Sequence, residues 1–273
     1  TRAEVPTARK LPDRVASPVV KNIIAVASGK GGVGKSTVAV NLALALARSG
    51  AKVGLLDTDV YGPSIPLMMG THEPIRVTPD RKMLPLENYG VKMLSIGFML
   101  DDEKPVIWRG PLVMQAVKEF LTNVFWGELD YLVIDLPPGT GDAQLTLVQT
   151  VPLTGAIVVT TPQDVALIDA RRAIKMFREV NTPILGVVEN MSYFVCPHCG
   201  EKTEIFSQGG GEKTSQRYNV PFLGNVPIDP EIRVGGDSGR PIVVANPDSP
   251  QSQAFMKIGE AVASRISVLD MTG

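Results

Sequence analysis

Apolar runs of strand length alternate with helix-length amphipathic segments along most of the chain. That alternation predicts a doubly wound, mostly parallel α/β sheet with helices on both faces. Two further features point the same way. A glycine-rich stretch joins the first apolar run to the first helical segment, and two later runs end on aspartates, where such a sheet presents its ligand groups. The runs at 23–27, 53–56, 91–96, 131–134, 156–159 and 184–188 are continuous, as strands buried on both faces read, and 222–226 is a shorter one. Residues 35–48 have helical spacing with Gly50 just past the end, as a C-terminal cap requires. Residues 111–124 and 164–180 share that spacing, with Asp164 expected to N-cap the latter. The tail at 251–269 carries an apolar stripe through Ala254, Phe255, Ile258, Ala261, Val262, Ile266 and Leu269, expected to dock on the domain.

The glycine-rich stretch reads Gly29-Lys30-Gly31-Gly32-Val33-Gly34-Lys35-Ser36-Thr37. Between a strand and a helix, this is the context in which G-x-x-x-x-G-K-[ST] means a P-loop. The glycines let the backbone curl so that several N–H groups face phosphate oxygens, and the helix N-terminus adds its positive dipole end. Lys35 is expected to bridge the β- and γ-phosphates and Ser36 to ligate Mg²⁺, which implies a nucleoside triphosphate site. The early lysine, Lys30, makes the loop resemble the deviant P-loop of ATPases that include MinD, ParA and the nitrogenase iron protein. That resemblance implies that Lys30 crosses a dimer interface to the partner's nucleotide; the alternative is a lysine that offsets phosphate charge within its own chain.

Two acidic strand ends complete the expected site. One run ends Asp57-Thr58-Asp59. Another continues as Asp135-Leu-Pro-Pro-Gly139-Thr-Gly-Asp142, resembling a Walker B strand that enters a switch loop. Asp135 is placed to hold Mg²⁺, usually through water, and Gly139 to offer its amide to the γ-phosphate. The deviant P-loop class implies that Asp59 orients the attacking water. Either aspartate could instead cap a turn, and Asp142 reads as the N-cap of the following helix.

At 273 residues and 44% apolar, the chain can bury one sizeable core. The expected division is a flexible arm or linker over 1–21, a P-loop ATPase domain over 22–269 and a tail over 270–273. Lys plus Arg number 27 against 28 Asp plus Glu, so no global basic excess suggests nucleic acid as a partner. No apolar run approaches a membrane span, and the tail's polar face is not the basic one of a membrane-surface helix. No nucleic-acid or membrane partner is expected. The expected compartment is cytoplasmic, with the mitochondrial matrix as the alternative. Gly236-Asp237-Ser238-Gly239 imitates a serine-protease loop, but that chemistry needs a positioned His and Asp on another scaffold.

The only two cysteines stand together in Cys196-Pro-His198-Cys199, after the strand that runs into Asn190. A disulfide, a redox pair, a zinc site and an iron–sulfur site are all open readings. Nothing marks the chain as secreted, and a thioredoxin-like pair would begin a helix. Zinc and iron–sulfur sites need about four ligands, and one chain supplies two thiolates, with His198 a strained third for zinc. Two chains meeting at a symmetric interface would supply four, and beside a dimerising ATPase a bridging iron–sulfur cluster is the first choice.

These blocks, with 55–64, Trp108-Arg109-Gly110-Pro111, 161–164, 189–193 and 236–241, make residues 22 to about 266 resemble the Mrp/ApbC family of P-loop iron–sulfur carrier proteins. The resemblance implies a SIMIBI-type P-loop NTPase fold and a homodimer holding a labile [4Fe–4S] cluster on Cys196 and Cys199 of both chains. It implies transfer to apo iron–sulfur proteins under control of ATP binding or hydrolysis, and adenine contacts at Asn190 and around Pro227-Ile228-Asp229. Arg109 is given no catalytic role. Two other functions compete: a positioning ATPase like MinD or ParA, and a redox ATPase like the nitrogenase iron protein.

Overall fold

The computed structural model describes residues 20–99 and 110–272. Trp108 and Arg109 lie outside the described residues. In chain order the first half comprises β1 (Val20–Ser28), α1 (Lys35–Arg48), β2 (Val53–Asp57), α2 (Ile65–Met68), β3 (Arg76–Val77), β4 (Met83–Leu84), β5 (Leu86–Asn88), β6 (Val91–Ser95), α3 (Gly110–Thr122) and β7 (Leu129–Asp135). The second half comprises α4 (Asp142–Thr150), β8 (Gly155–Thr160), α5 (Asp164–Glu179), β9 (Ile184–Glu189), β10 (Phe194–Val195), β11 (Lys202–Thr203), α6 (Gly210–Arg217), β12 (Phe222–Asn225), α7 (Pro230–Asp237), α8 (Ile242–Ala245) and α9 (Pro250–Thr272).

Among these residues the main sheet runs β12-β9-β8-β1-β7-β2-β6-β5. Every pairing is parallel except β5 with β6, so helical crossovers are obligatory and both faces are covered. Successive strand residues point to opposite faces. Ile23, Ala25 and Ala27 of β1 therefore join a core under α3, α4 and α5, whereas Ile24 and Val26 join a second core under α1 and α9. Chain order reverses beside β1, whose carboxyl end opens into the P-loop; a doubly wound sheet binds ligands at such a switch point.

All the expected strands form, and the expected helices form within three residues of their expected ends. Gly50 follows the Ser49 C-cap with φ +92°, a backbone state that costs a glycine little. Two caps differ from expectation. Gln163 is the N-cap of α5 and Gly141 that of α4, without side-chain capping bonds, so Asp164 and Asp142 are first-turn residues facing the positive dipole end. β1 begins at Val20, and α9 continues through Thr272.

The tail helix docks as its stripe predicts, with Phe255, Ile258, Val262 and Ile266 all at most 2% exposed. Phe255→Ala should cost about 3–5 kcal/mol in chemical denaturation, because the surrounding helices only partly fill the space it leaves. Met271→Ala on the same helix, 86% exposed in the parent, should change stability by less than about 0.5 kcal/mol. Equal effects would mean that α9 is not docked through this face.

Candidate nucleotide site and cysteine hairpin

The P-loop occupies the turn from β1 into α1. Gly34, at the N-cap, has φ +79°, and a Cβ there would fall 2.1 Å from Asn190 Nδ2, so both backbone and space demand glycine. Ser28, Lys30, Gly31, Gly32, Gly34, Lys35, Ser36, Thr37 and Asp59 line a cavity of about 230 Å³ at the α1 N-terminus. Gly29 precedes this mouth, against the α5 backbone at Asp169, and Val33 is buried. The Lys30 carbonyl accepts the Ser28 hydroxyl at 2.8 Å; its ammonium is in no ion pair with the described residues.

Behind the loop, strand register sets the electrostatics. Asp57 and Asp135 are directly paired across β2 and β7, so two carboxylates end adjacent strands at one level. Lys35 reaches back from α1, with Nζ 2.7 Å from Asp135 Oδ1 and 3.4 Å from Asp59 Oδ2. The Ser36 hydroxyl donates to Asp135 Oδ2 at 2.6 Å. Thr58 fastens β2 to β7 through its amide and hydroxyl, both donated to the Asp135 carbonyl at 3.0 and 2.7 Å. Asp57 accepts from the Asp59 and Ile65 amides and from Ser95 Oγ, at 3.1, 3.3 and 2.9 Å, which folds the loop over 57–65 around it. Asp59 in turn accepts the Tyr61 amide at 3.2 Å.

Three carboxylates thus face one buried ammonium. Burial pushes the Asp57 carboxyl up to about 7, with Asp135 adding to the shift. Burial also raises Asp135, against the pull of Lys35. No cluster of three His, Cys, Asp or Glu that could hold a metal ion occurs among the described residues. The donor set nevertheless fits Mg²⁺, which takes one or two protein oxygens and completes its shell with phosphates and water. Ser36 and Asp135 supply those two oxygens side by side, and the excess negative charge favours a cation.

A second cavity of about 450 Å³ adjoins the first through Thr37, Ser64 and Met68 and is walled by Asn190, Met191, Phe206, Pro227, Ile228, Asp229 and Ile232. Asn190, Pro227 and Asp229 therefore stand together beside the P-loop. Asn190 already donates Nδ2 to the Val33 carbonyl at 2.9 Å, and Asp229 N-caps α7 through the Glu231 amide at 2.7 Å while also accepting from Gln251 Nε2. Gly139, in the turn after β7, has φ +98°. Its amide donates to the Ser28 carbonyl at 3.0 Å, so a γ-phosphate contact requires that bond to be exchanged.

The cysteines sit in the turn of the β10–β11 hairpin, not at a helix start. The Cys196 amide donates to the Glu201 carbonyl and the Gly200 amide to the Cys196 carbonyl, each at 2.9 Å. Both cysteines are free thiols; Cys196 is half-buried, and Cys199 and His198 are exposed. Backbone hydrogen bonds from Cys199 and His198 lower the Cys196 thiol below its usual range, which favours the thiolate that metals bind. The hairpin is tied to the nucleotide cavity, since the Ile228 amide donates to the Tyr193 carbonyl at 2.7 Å and Lys202 Nζ lies 3.9 Å from the Tyr193 ring centre. Two organising residues received no role from the sequence, Asp57 and Glu189. Their common signal is a carboxylate closing an apolar run, the pattern that did reveal Asp135.

A doubly wound sheet with this loop at its switch point makes the protein a P-loop NTPase. Residues 19–263 match the ParA model described as NUBPL iron-transfer P-loop NTPase, and the chain belongs to that family. It is 52% identical over 271 residues to an iron–sulfur cluster carrier protein of Synechocystis sp., covering 97% of this chain and 77% of that one. It is 53% identical over 259 residues to the iron–sulfur cluster transfer protein NUBPL of Dictyostelium discoideum, covering 94% and 80%. Among solved structures, a nucleotide-binding protein from Archaeoglobus fulgidus in complex with ADP superposes with TM-score 0.76 at 40% identity, over 89% of this chain and 98% of that one.

The folded Asp57 carboxyl keeps its proton to about pH 7, whereas an unfolded one releases it near 3.8, so the fold loses stability as pH rises between those values. Asp57→Asn removes that titration. In thermal melts from about pH 4 to about pH 7 the stability difference should therefore shift in favour of the variant. A difference independent of pH would mean that Asp57 is ionised throughout.

Proposed function

We propose that this protein is an ATP-dependent iron–sulfur cluster carrier. Two copies hold one [4Fe–4S] cluster between their Cys196–Cys199 pairs and pass it to apo iron–sulfur proteins. One observation carries the reading: a pair of free thiols, Cys199 exposed and Cys196 half-buried with a depressed pKa, stands on a hairpin tied by backbone hydrogen bonding to the wall of a nucleotide cavity. Two thiolates do not complete the ligand set of a cluster, and a second copy supplies the other two. The cluster is cargo, held where a recipient's thiols can reach it. The cytoplasm is the proposed compartment, with the mitochondrial matrix second.

In this reading ATP lies along both cavities, with its phosphates on the amides of the P-loop and its base between Asn190 and the Pro227–Asp229 segment. Lys35 turns from Asp135 to the β- and γ-phosphates. Ser36 and Asp135 would hold Mg²⁺, which would supply neutralisation of the phosphate charge. Asp59 orients the attacking water. Lys30, whose ammonium makes no ion pair with the described residues, reaches the nucleotide of the second copy. Closure exchanges the Gly139–Ser28 bond for a γ-phosphate contact and alters the spacing of the two cysteine hairpins, so cluster release follows nucleotide state.

Anaerobic reconstitution with iron and sulfide should yield about four irons and four sulfides per dimer, lost in Cys196→Ser while the fold persists. Zinc alone in the metal count would make the hairpin a structural clamp and overturn the carrier reading. Lys35→Ala should still accept a cluster in vitro but fail to deliver it in cells. Normal delivery by Lys35→Ala would sink the coupling to ATP.

A further inference from the structure

The hydrogen bonds of the Glu189 side chain go neither to the phosphate loop nor to the thiols; it is fully buried and its carboxylate accepts three of them. Ser192 Oγ donates to Oε1 at 2.6 Å, the Gly209 amide to Oε1 at 3.0 Å and the Gly211 amide to Oε2 at 2.6 Å. No lysine or arginine among the described residues pairs with it. Its partners are hydroxyl and amide donors, two of them at the N-terminus of α6, where the helix dipole favours an anion.

The placement of those donors is what matters. Glu189 is the last residue of β9, and Gly209 and Gly211 bracket the start of α6. The chain therefore leaves the sheet at Glu189, runs out over 190–209 and returns to the side chain of the residue it left. That excursion contains Cys196 and Cys199 in its hairpin. It also contains Asn190, which holds the Val33 carbonyl of the P-loop, and Met191 and Phe206, which wall the nucleotide cavity.

We propose that Glu189 is a positioning residue, which closes the base of the cysteine-bearing excursion and transmits nucleotide contacts to the thiols. With its base closed, the excursion moves as one unit when a nucleotide presses on Asn190, Met191 or Phe206. With the base open, the two limbs move separately and the displacement does not reach the hairpin turn. An ionised carboxylate is an acceptor only and suits three donors; the glutamine amide turns an NH₂ group toward one of them, and at least one bond is lost.

The geometry of the clamp is independent of the cargo, but its role in delivery rests on the carrier reading above. The test therefore uses the full chain without a cluster. It follows iodoacetamide alkylation of Cys196 and Cys199 with and without Mg-ATP, alongside amide exchange over 190–209 and the affinity for a fluorescent ATP analogue. In the parent, Mg-ATP should change the alkylation rate. Glu189→Gln should bind nucleotide with parental affinity, alkylate about tenfold faster and lose the response to Mg-ATP. Its exchange should rise over 190–209 and not in β1 or β7. Ser192→Ala, which removes a single donor, should shift both readouts in the same direction by less, and it decides the matter if the glutamine variant does not fold. Parental rates with an intact nucleotide response in the folded variants would overturn the proposal, as would a parent whose thiols ignore Mg-ATP. A chain that never assembles a cluster would sink the carrier reading and leave this test standing.

Discussion

Two carboxylates buried side by side at the ends of adjacent parallel strands set the terms for the rest of the site. Asp57 and Asp135 are brought level by the register of β2 and β7 and are wholly shielded from water. At such depth two like charges raise each other's pKa unless a cation or a set of N–H donors compensates them. The protein divides that task. Asp135 takes the ammonium of Lys35 and the Ser36 hydroxyl, and Asp57 takes two loop amides and Ser95. The P-loop is thereby pinned from behind by its own lysine, and the loop after β2 is wound around an acid. Lys35 is the one cation set against these acids among the described residues, so a change of its partner leaves their negative charge uncompensated.

The strands were legible in the sequence because a parallel sheet covered on both faces leaves no polar alternation to blur the apolar runs. The tail helix was legible because its stripe matches one buried face. The caps were not. An aspartate at the first helical residue has the same sequence neighbours as one at the N-cap, and only backbone geometry separates them; Gln163 and Gly141 took the caps expected of Asp164 and Asp142. The exact ends of β1 and α9 were not legible either, because their terminal residues carry no apolar pattern.

At the site, the P-loop and its acids could be read because phosphate binding demands particular residues at fixed spacing. The partner of the Gly139 amide could not, since a backbone amide carries no sequence signal of its own. Asp57 and Glu189 were in plain view as acids at strand ends. What could not be read was burial, which makes an acid an organising centre rather than a solvated terminus. In Glu189 that difference is large: its acceptors gather Ser192, Gly209 and Gly211, which are up to 22 positions away in sequence.

Cargo that must leave constrains the part of the fold that carries it. Ligands set in the sheet core would share its full stability and would open only with global unfolding, whereas a segment with few buried contacts opens locally at a fraction of that free energy. Cys196 and Cys199 lie on a two-residue-per-strand hairpin outside the main sheet, with Val195 and Cys199 exposed, and they belong to the low-stability end of the molecule. Loose ligands alone would release cargo without regard to nucleotide. Under the proposed function the excursion meets both demands, because its tip is outside the core while its base is fastened inside it, through Asn190 to the P-loop and through Glu189 to the start of α6. Exposure at the thiols and rigidity at the base are thus complementary requirements of one segment.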